Sequence, residues 1–296
     1  MIALRTLPQT ILDTALRVPQ EVLNLTTPTP PIPTPTALDS QLKHLTGRLK
    51  AEAIDPTTST INYRHLRNNP LYAEYRALTT HLPAFDLHTL TTRAQKLAFW
   101  LNLYNALVID SIIAYGIRAS VNEVPGFFRR VAYAIGGYRF SLDDIEHGIL
   151  RANAGHIVIP GPQFARADPR RTFILHHLDW RIHFALVCGA RSCPPINFYT
   201  EDKIDAQLDL AAANFLGQST TFDPARRTLH LSKLLQWYGT DFGAGPLSAL
   251  GFGNYHAALP ALAPHLSDPT LRELCSHPPR DLKIRFTPYD WSLNTT

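Results

Sequence analysis

Apolar residues recur at helical spacing over several long stretches of the chain, and at strand spacing over only a few short ones. From Thr92 to Gly116 the pattern is apolar almost all round, through Leu97, Leu101, Tyr104, Ala106, Leu107, Val108, Ile112 and Ile113. Such a pattern predicts a helix buried on most sides, with Phe99, Trp100 and Leu103 also in the core and Gly116 at its end. Asn102 and Asn105 interrupt the apolar surface. Buried amides need partners, so these two are either structural hydrogen-bonders or part of a site. Further helices are predicted over Gln41–Ile54, capped by Asp39-Ser40 and ended by Asp55-Pro56, and over Tyr72–Leu82, Thr200–Leu216, Asn254–Leu262 and Pro269–Ser276. Lys233–Phe242 reads as a helix or turn. Ser141, with Asp144 three residues on, approximates a capping box for a helix through LDDIEHGILR. Strands are predicted at Tyr138–Phe140, Thr228–Leu231 and Lys283–Phe286, and most strongly at Ile182–Val187. Long helices with a few dispersed strands predict an α+β fold, with a long buried central helix packed on a small, mostly antiparallel sheet and flanked by further helices.

Thr26–Thr36 reads TTPTPPIPTPT, with five prolines in eleven residues. Such a run holds neither a helix nor a ladder and reads as an extended linker. Before it, Ile11, Leu12, Ala15 and Leu16 fall on one face of a short amphipathic helix. Residues 1–38 are therefore expected to form an extension, and 39–296 a single globular domain.

Composition narrows the function classes. The chain has 296 residues, 45% of them hydrophobic, which is ample for a packed core. A net charge of +4, with basic residues scattered and no Lys/Arg run longer than two, argues against a nucleic-acid partner. The pairs Arg129-Arg130, Arg170-Arg171 and Arg226-Arg227 read as solvated loop charges or as contacts for an anionic substrate. Three cysteines, an odd number, argue against a disulfide framework and for a reducing compartment, so a cytoplasmic location is expected. No long uninterrupted apolar run predicts a transmembrane segment. The first twenty residues lack a signal-peptide core, while their two arginines leave a mitochondrial presequence as an alternative.

Polar chemistry concentrates in two places. In DWRIHFALVCGARSCPPI, an extended run puts His183, Ala185 and Val187 on one side and Phe184, Leu186 and Cys188 on the other. Cys188 then reads as a core thiol, and His183 as a core histidine or a titrating site residue. Cys193 sits in a loop opened by Gly189 and stiffened by Pro194-Pro195. Beside Arg191 it is either an activated thiolate or an inert loop cysteine. In LDDIEHGILRAN, His147 and Arg151 are four apart and share a helix face, as base and anion clamp or as parts of an interior network. Cys188 and Cys193 with His147 or His183 offer zinc-ligand types, but without a second cysteine pair no metal site is expected. Phosphate-binding glycine loops and the Gly-x-Ser-x-Gly elbow are absent, so no nucleotide or other cofactor is implied.

The blocks AFWLNLYNALVIDSI, LDDIEHGILRAN, RIHFALVCGARSCPPI, TEDKIDAQLDLAAANFL, LSKLLQWYGTDFG and LKIRFTPYDWSLN occur in that order between Lys96 and Asn294. With them the chain resembles the domain of unknown function 547 family, from about Leu42 onward. NLYNALVIDSIIAYGIRA is more distantly similar to the core helix of the papain/transglutaminase-like group. It carries Asn102 and Asn105 and no cysteine, so the resemblance implies a nucleophile that is missing or displaced to Cys193. Two functions follow as expectations. In one, the chain is a thiol-dependent hydrolase or acyl transferase acting on an amide or acyl bond of a small molecule or peptide. Cys193 is its nucleophile, His147 or His183 its base, Arg191 or Arg151 its anion partner, and Asn102 joins the same pocket. In the other, it is a non-catalytic interaction domain whose polar residues form a buried network.

Overall fold

The computed structural model describes residues 19–26, 34–53, 55, 60–158 and 161–296. The amphipathic helix and most of the Pro/Thr-rich run expected near the N-terminus lie outside these residues. The contacts group into two units. One comprises 1–177, 186–204 and 291–296, the other 178–185 and 205–290. Both units mix helices with a small sheet, so the α+β reading holds.

The first unit is built on the helix that the apolar pattern marks most clearly. The first four helices are α1 (Pro35–Ala53), α2 (Tyr63–Arg67), α3 (Pro70–Thr79) and α4 (Arg93–Tyr115). Thr92 and Gln95 close a complete capping box on α4, and Gly116 ends it. Leu97, Phe99, Trp100, Leu103 and Leu107 are all buried. Among the described residues α4 is the one helix long and apolar enough to cross a membrane, and 89% of its most apolar stretch is buried inside the protein. Its apolarity is that of a core helix.

Strand β1 (Glu21–Val22) pairs parallel with β2 (Val131–Ile135), which pairs antiparallel with β3 (Tyr138–Ser141). Ile135 opposes Tyr138 across Gly136-Gly137, whose φ angles are 56° and 81°. That two-residue turn needs left-handed backbone at both positions, which glycine adopts without strain. Strand β2 was not expected, although this Gly-Gly pair between apolar runs is a hairpin signal. Strand β1 falls in the expected extension. Its docking is held by Arg130, which bonds Glu21 at 2.6 Å, and by the Asn24 amide, which donates to the Thr79 and Ala134 carbonyls.

The second unit has its own core of Phe184, Phe215, Leu229, Leu231, Leu259, Leu262 and neighbours. It is built from α6 (Ile204–Ser219), β4 (Thr221–Asp223), β5 (Thr228–Ser232), α7 (Lys233–Trp237), α8 (Tyr255–Leu262), α9 (Pro269–Ser276) and β6 (Lys283–Thr287); a short α5 (Phe127–Arg130) belongs to the first unit. Strand β5 pairs antiparallel with β4 and parallel with β6. There are thus two mixed three-stranded sheets among the described residues, not one mostly antiparallel sheet. In each, the parallel neighbour comes from a segment remote in sequence, which strand patterning alone does not reveal.

Two further expectations are corrected. Ile182–Val187, read as the strongest strand, begins instead within a 3-10 helix, Trp180–Phe184, capped by the Asp179 side chain on the Arg181 N–H. A short apolar run fits a buried helical turn as well as a strand, and the N-cap decides here. The arginine pairs also differ. Arg226 is exposed, but Arg170 forms a bidentate pair with Asp168, donates to Asp144 at 3.0 Å and lies 4.4 Å over the Phe164 ring.

Candidate functional site

Two amides of α4 hold the loop that follows residue 185. The Asn102 side chain donates to the Tyr199 carbonyl and accepts from the Tyr199 N–H, both at 2.8 Å. Asn105 accepts from the Val187 N–H at 3.0 Å and donates to the Asn197 carbonyl at 3.3 Å. The pair thus clamps both ends of the loop to one helix face. Between them Gly189, at φ 81°, passes α4 so closely that a Cβ would meet the Ile112 side chain at 2.6 Å. Within the loop Cys188 and Cys193 are joined as a disulfide. This corrects the reading of Cys188 as a core thiol on a strand face, and with it the expectation that an odd cysteine count leaves no disulfide. With no strand there, the chain turns at Gly189 and brings the two sulfurs together. The Cys188 N–H also donates to Cys193 Sγ at 2.9 Å. Both cysteines are half-buried, and Arg191 between them is exposed, its N–H donating to the Ser292 carbonyl. The remaining thiol, Cys275, is buried, and burial pushes it up to about 11.

The second group is carried by a π-helix, Asp144–Leu150, every residue of which is buried. Ser141 and Asp144 form the expected reciprocal cap, Asp144 N–H to Ser141 Oγ at 3.1 Å and Ser141 N–H to Asp144 Oδ2 at 3.0 Å. The helix then widens: the N–H of Arg151 reaches the Glu146 carbonyl and that of Asn153 the Gly148 carbonyl, both five residues back. His147 and Arg151 do meet, Arg151 Nη1 lying 3.0 Å from His147 Nδ1. A guanidinium only donates, so Nδ1 is the acceptor and the ring proton sits on Nε2. Arg151 also donates to the Gly155 carbonyl at 2.6 Å, and the Tyr104 hydroxyl donates to Glu146 at 2.9 Å. His156 meets His147 edge-on at 5.5 Å. Burial, with Arg129 and Arg151 nearby, lowers the His156 pKa to about 4.

His183 belongs to the other unit. Its Nε2 lies 2.8 Å from Asp241, and its ring stacks on Tyr238 at 3.9 Å. Beside it in sequence, Arg181 engages Asp179, Asp205 and Asp209, each at 2.7 Å, and the hydrogen bond to Asp179 leads in raising its pKa. Among the described residues no group of three or more His, Cys, Asp or Glu is placed to hold a metal ion.

Two features escaped the sequence reading. Asp110, fully buried in α4, accepts from Tyr72, Tyr133 and Arg76, each at 2.6 Å. Burial, then the Asp110 charge, raises the Tyr133 pKa well above its ordinary value. A cavity of about 20 Å³ beside Asp110 has room for roughly one water. The carboxylate interrupts the apolar pattern of α4 as Asn102 does, and was legible by the same argument. The second feature is a groove of about 620 Å³ lined by α2, the C-terminal end of α4 and the last residues of the chain.

Fold and site together define an α+β protein whose long core helix clamps a disulfide-closed loop and faces a buried His–Arg–Glu group. Residues 87–216 match the family described as Protein of unknown function, DUF547, so the resemblance read from the motif blocks is borne out over that span. The matched residues include α4, the β2–β3 hairpin, the π-helix and the disulfide loop. No curated protein and no solved structure matches the chain.

Proposed function

We propose that this chain is a non-catalytic binding domain rather than a thiol enzyme. One observation carries the reading: Cys193, the residue best suited by sequence to be a nucleophile, is bonded to Cys188. A nucleophile needs a free thiolate, and the one free cysteine is buried with a raised pKa. The other candidate polar residues and their neighbours support the same reading. Asn102, Asn105, Glu146, Arg151 and His183 each satisfy another group of the chain, which is what bracing requires. The test is mass spectrometry with iodoacetamide, followed by a p-nitrophenyl acetate assay. Neither Cys188 nor Cys193 should label without reductant, and the reduced protein should show no turnover that Cys193→Ser removes.

A second reading is favoured by the Cys188 N–H, which sits 2.9 Å from Cys193 Sγ and would stabilise a thiolate there once the bridge is reduced. In that reading the chain is a thiol-dependent hydrolase or acyl transferase acting on an amide or acyl bond, with Cys193 as nucleophile, His147 as base and Arg191 or Arg151 as anion partner. A burst of p-nitrophenol from the reduced protein, lost in Cys193→Ser, would establish it and remove the first.

A further inference from the structure

The 620 Å³ groove combines an apolar floor with a basic rim. Its floor includes Ile112, Ile117 and Leu293. Its rim includes Arg64 and Arg67, three apart on α2, together with Arg118. All three arginines are exposed. Among the described residues none of the three guanidiniums forms a close ion pair with a carboxylate, although the Glu123 pKa is lowered by hydrogen bonds from the Ala119 and Ser120 N–H groups and, more weakly, by the Arg118 charge. Glu123, the nearest acid to Arg118 in sequence, uses its carboxylate to accept the backbone N–H groups of Arg118, Ala119 and Ser120. By contrast Arg76, Arg130, Arg170 and Arg181 are each tied to one or more acidic side chains.

We propose that this groove binds an amphipathic organic anion: a phosphate or carboxylate head held by the three guanidiniums, with an acyl or aromatic body lying on the Ile112–Ile117–Leu293 floor. Guanidinium carries its charge at every physiological pH and presents paired N–H donors that match both head groups. The volume falls inside the roughly 300–1,000 Å³ typical of small-ligand sites. A nucleic acid needs a longer basic track than three arginines supply. The proposal rests on the binding-domain reading only in treating the chain as a binder, and it assigns the ligand class.

The test is calorimetric titration of the full chain with octyl phosphate below its micelle concentration. Wild-type protein should bind it at one saturable site. Arg64→Ala/Arg67→Ala/Arg118→Ala should bind at least about tenfold more weakly, the loss expected when charge-assisted hydrogen bonds are removed. 1-Octanol and inorganic phosphate should each bind more weakly than octyl phosphate, since each offers half of the recognition. Raised salt should weaken wild-type binding, a readout that does not depend on the variant folding. Sedimentation with phosphatidylcholine vesicles containing phosphatidic acid separates the sources of the head group. Retention lost in the triple variant places it in a lipid, whereas octyl phosphate binding without retention points to a free ligand. Equal affinity of wild type and triple variant, or of octyl phosphate and octanol, overturns the proposal. So does binding of a Glu-rich peptide with none of octyl phosphate. If octyl phosphate fails while Cys193 remains inert after reduction, the ligand assignment falls and the binding-domain reading stands.

Discussion

The polar groups around α4 and the arginines of the groove are opposite uses of polarity in one unit. Asn102, Asn105, Asp110 and Glu146 are buried, and each meets donors or acceptors from the chain itself. Arg64, Arg67 and Arg118 are exposed around an apolar floor, with no carboxylate on their guanidiniums among the described residues. A buried polar group left unpaired costs about 1–3 kcal/mol, so the first set must be satisfied internally for the fold to stand. Exposed guanidiniums carry no such requirement, because water satisfies them at little cost. Density of polar residues in the sequence therefore marks construction at least as readily as it marks a site.

The comparison breaks most visibly at Asp110. Asp110→Ala leaves two tyrosine hydroxyls and the Arg76 guanidinium without their shared acceptor. Urea denaturation should show a loss of about 3 kcal/mol, in the range for breaking a buried charged pair. A loss under about 1 kcal/mol would mean that water replaces the carboxylate, and that the network does not brace the fold.

A pH experiment sharpens it next. Burial first, then Arg129 and Arg151, hold the His156 pKa at about 4, against about 6.5 in the unfolded chain. Between these values the unfolded state binds the extra proton, so stability is full above about pH 6.5 and falls as pH drops toward 4. The contribution of His156 should approach about 3 kcal/mol by pH 4. His156→Gln should flatten this part of the stability curve without moving the part above pH 7. Superimposable curves for the two proteins would show that His156 is not shielded from protonation.

The clamp follows. Asn105→Ala removes the acceptor for the Val187 N–H and the donor for the Asn197 carbonyl. A loss of about 1–2 kcal/mol is expected, together with faster amide exchange at Val187. Exchange as slow as in wild type would mean that the loop does not depend on α4. The smallest effect belongs to the groove. Arg64→Ala and Arg67→Ala should each change thermal stability by less than about 0.5 kcal/mol, as for ordinary surface positions. A larger loss would place those arginines with the buried set.

Sequence and structure agree where one local rule dominates. Thr92 and Gly116 bound α4 in the sequence as they do in the structure, because an all-round apolar pattern and a glycine stop act within a few residues, whereas the Thr92–Gln95 capping box emerged only with the structure. The Ser141–Asp144 cap and the His147–Arg151 contact were legible for the same reason, although not the wider π turn that carries them. Elsewhere the deciding contact is remote in sequence. Residues 182–187 satisfy an apolar run as strand or as helical turn, and the Asp179 cap together with the neighbours of Phe184 selects the turn. Cys188 and Cys193 are close in sequence, but their pairing depends on the sharp turn at Gly189 against Ile112. Strands β1 and β6 exist because β2 and β5 offer them a parallel edge. The groove depends on assembly too, since α2, the end of α4 and Leu293 are far apart in the chain and share no pattern. The sequence by itself determined the core helix, its glycine stop and which residues are polar in apolar surroundings, all consequences of local spacing. Tertiary structure alone decided which of those polar groups satisfy one another and which arginines form close ion pairs, because pairing depends on distances that only the folded chain sets.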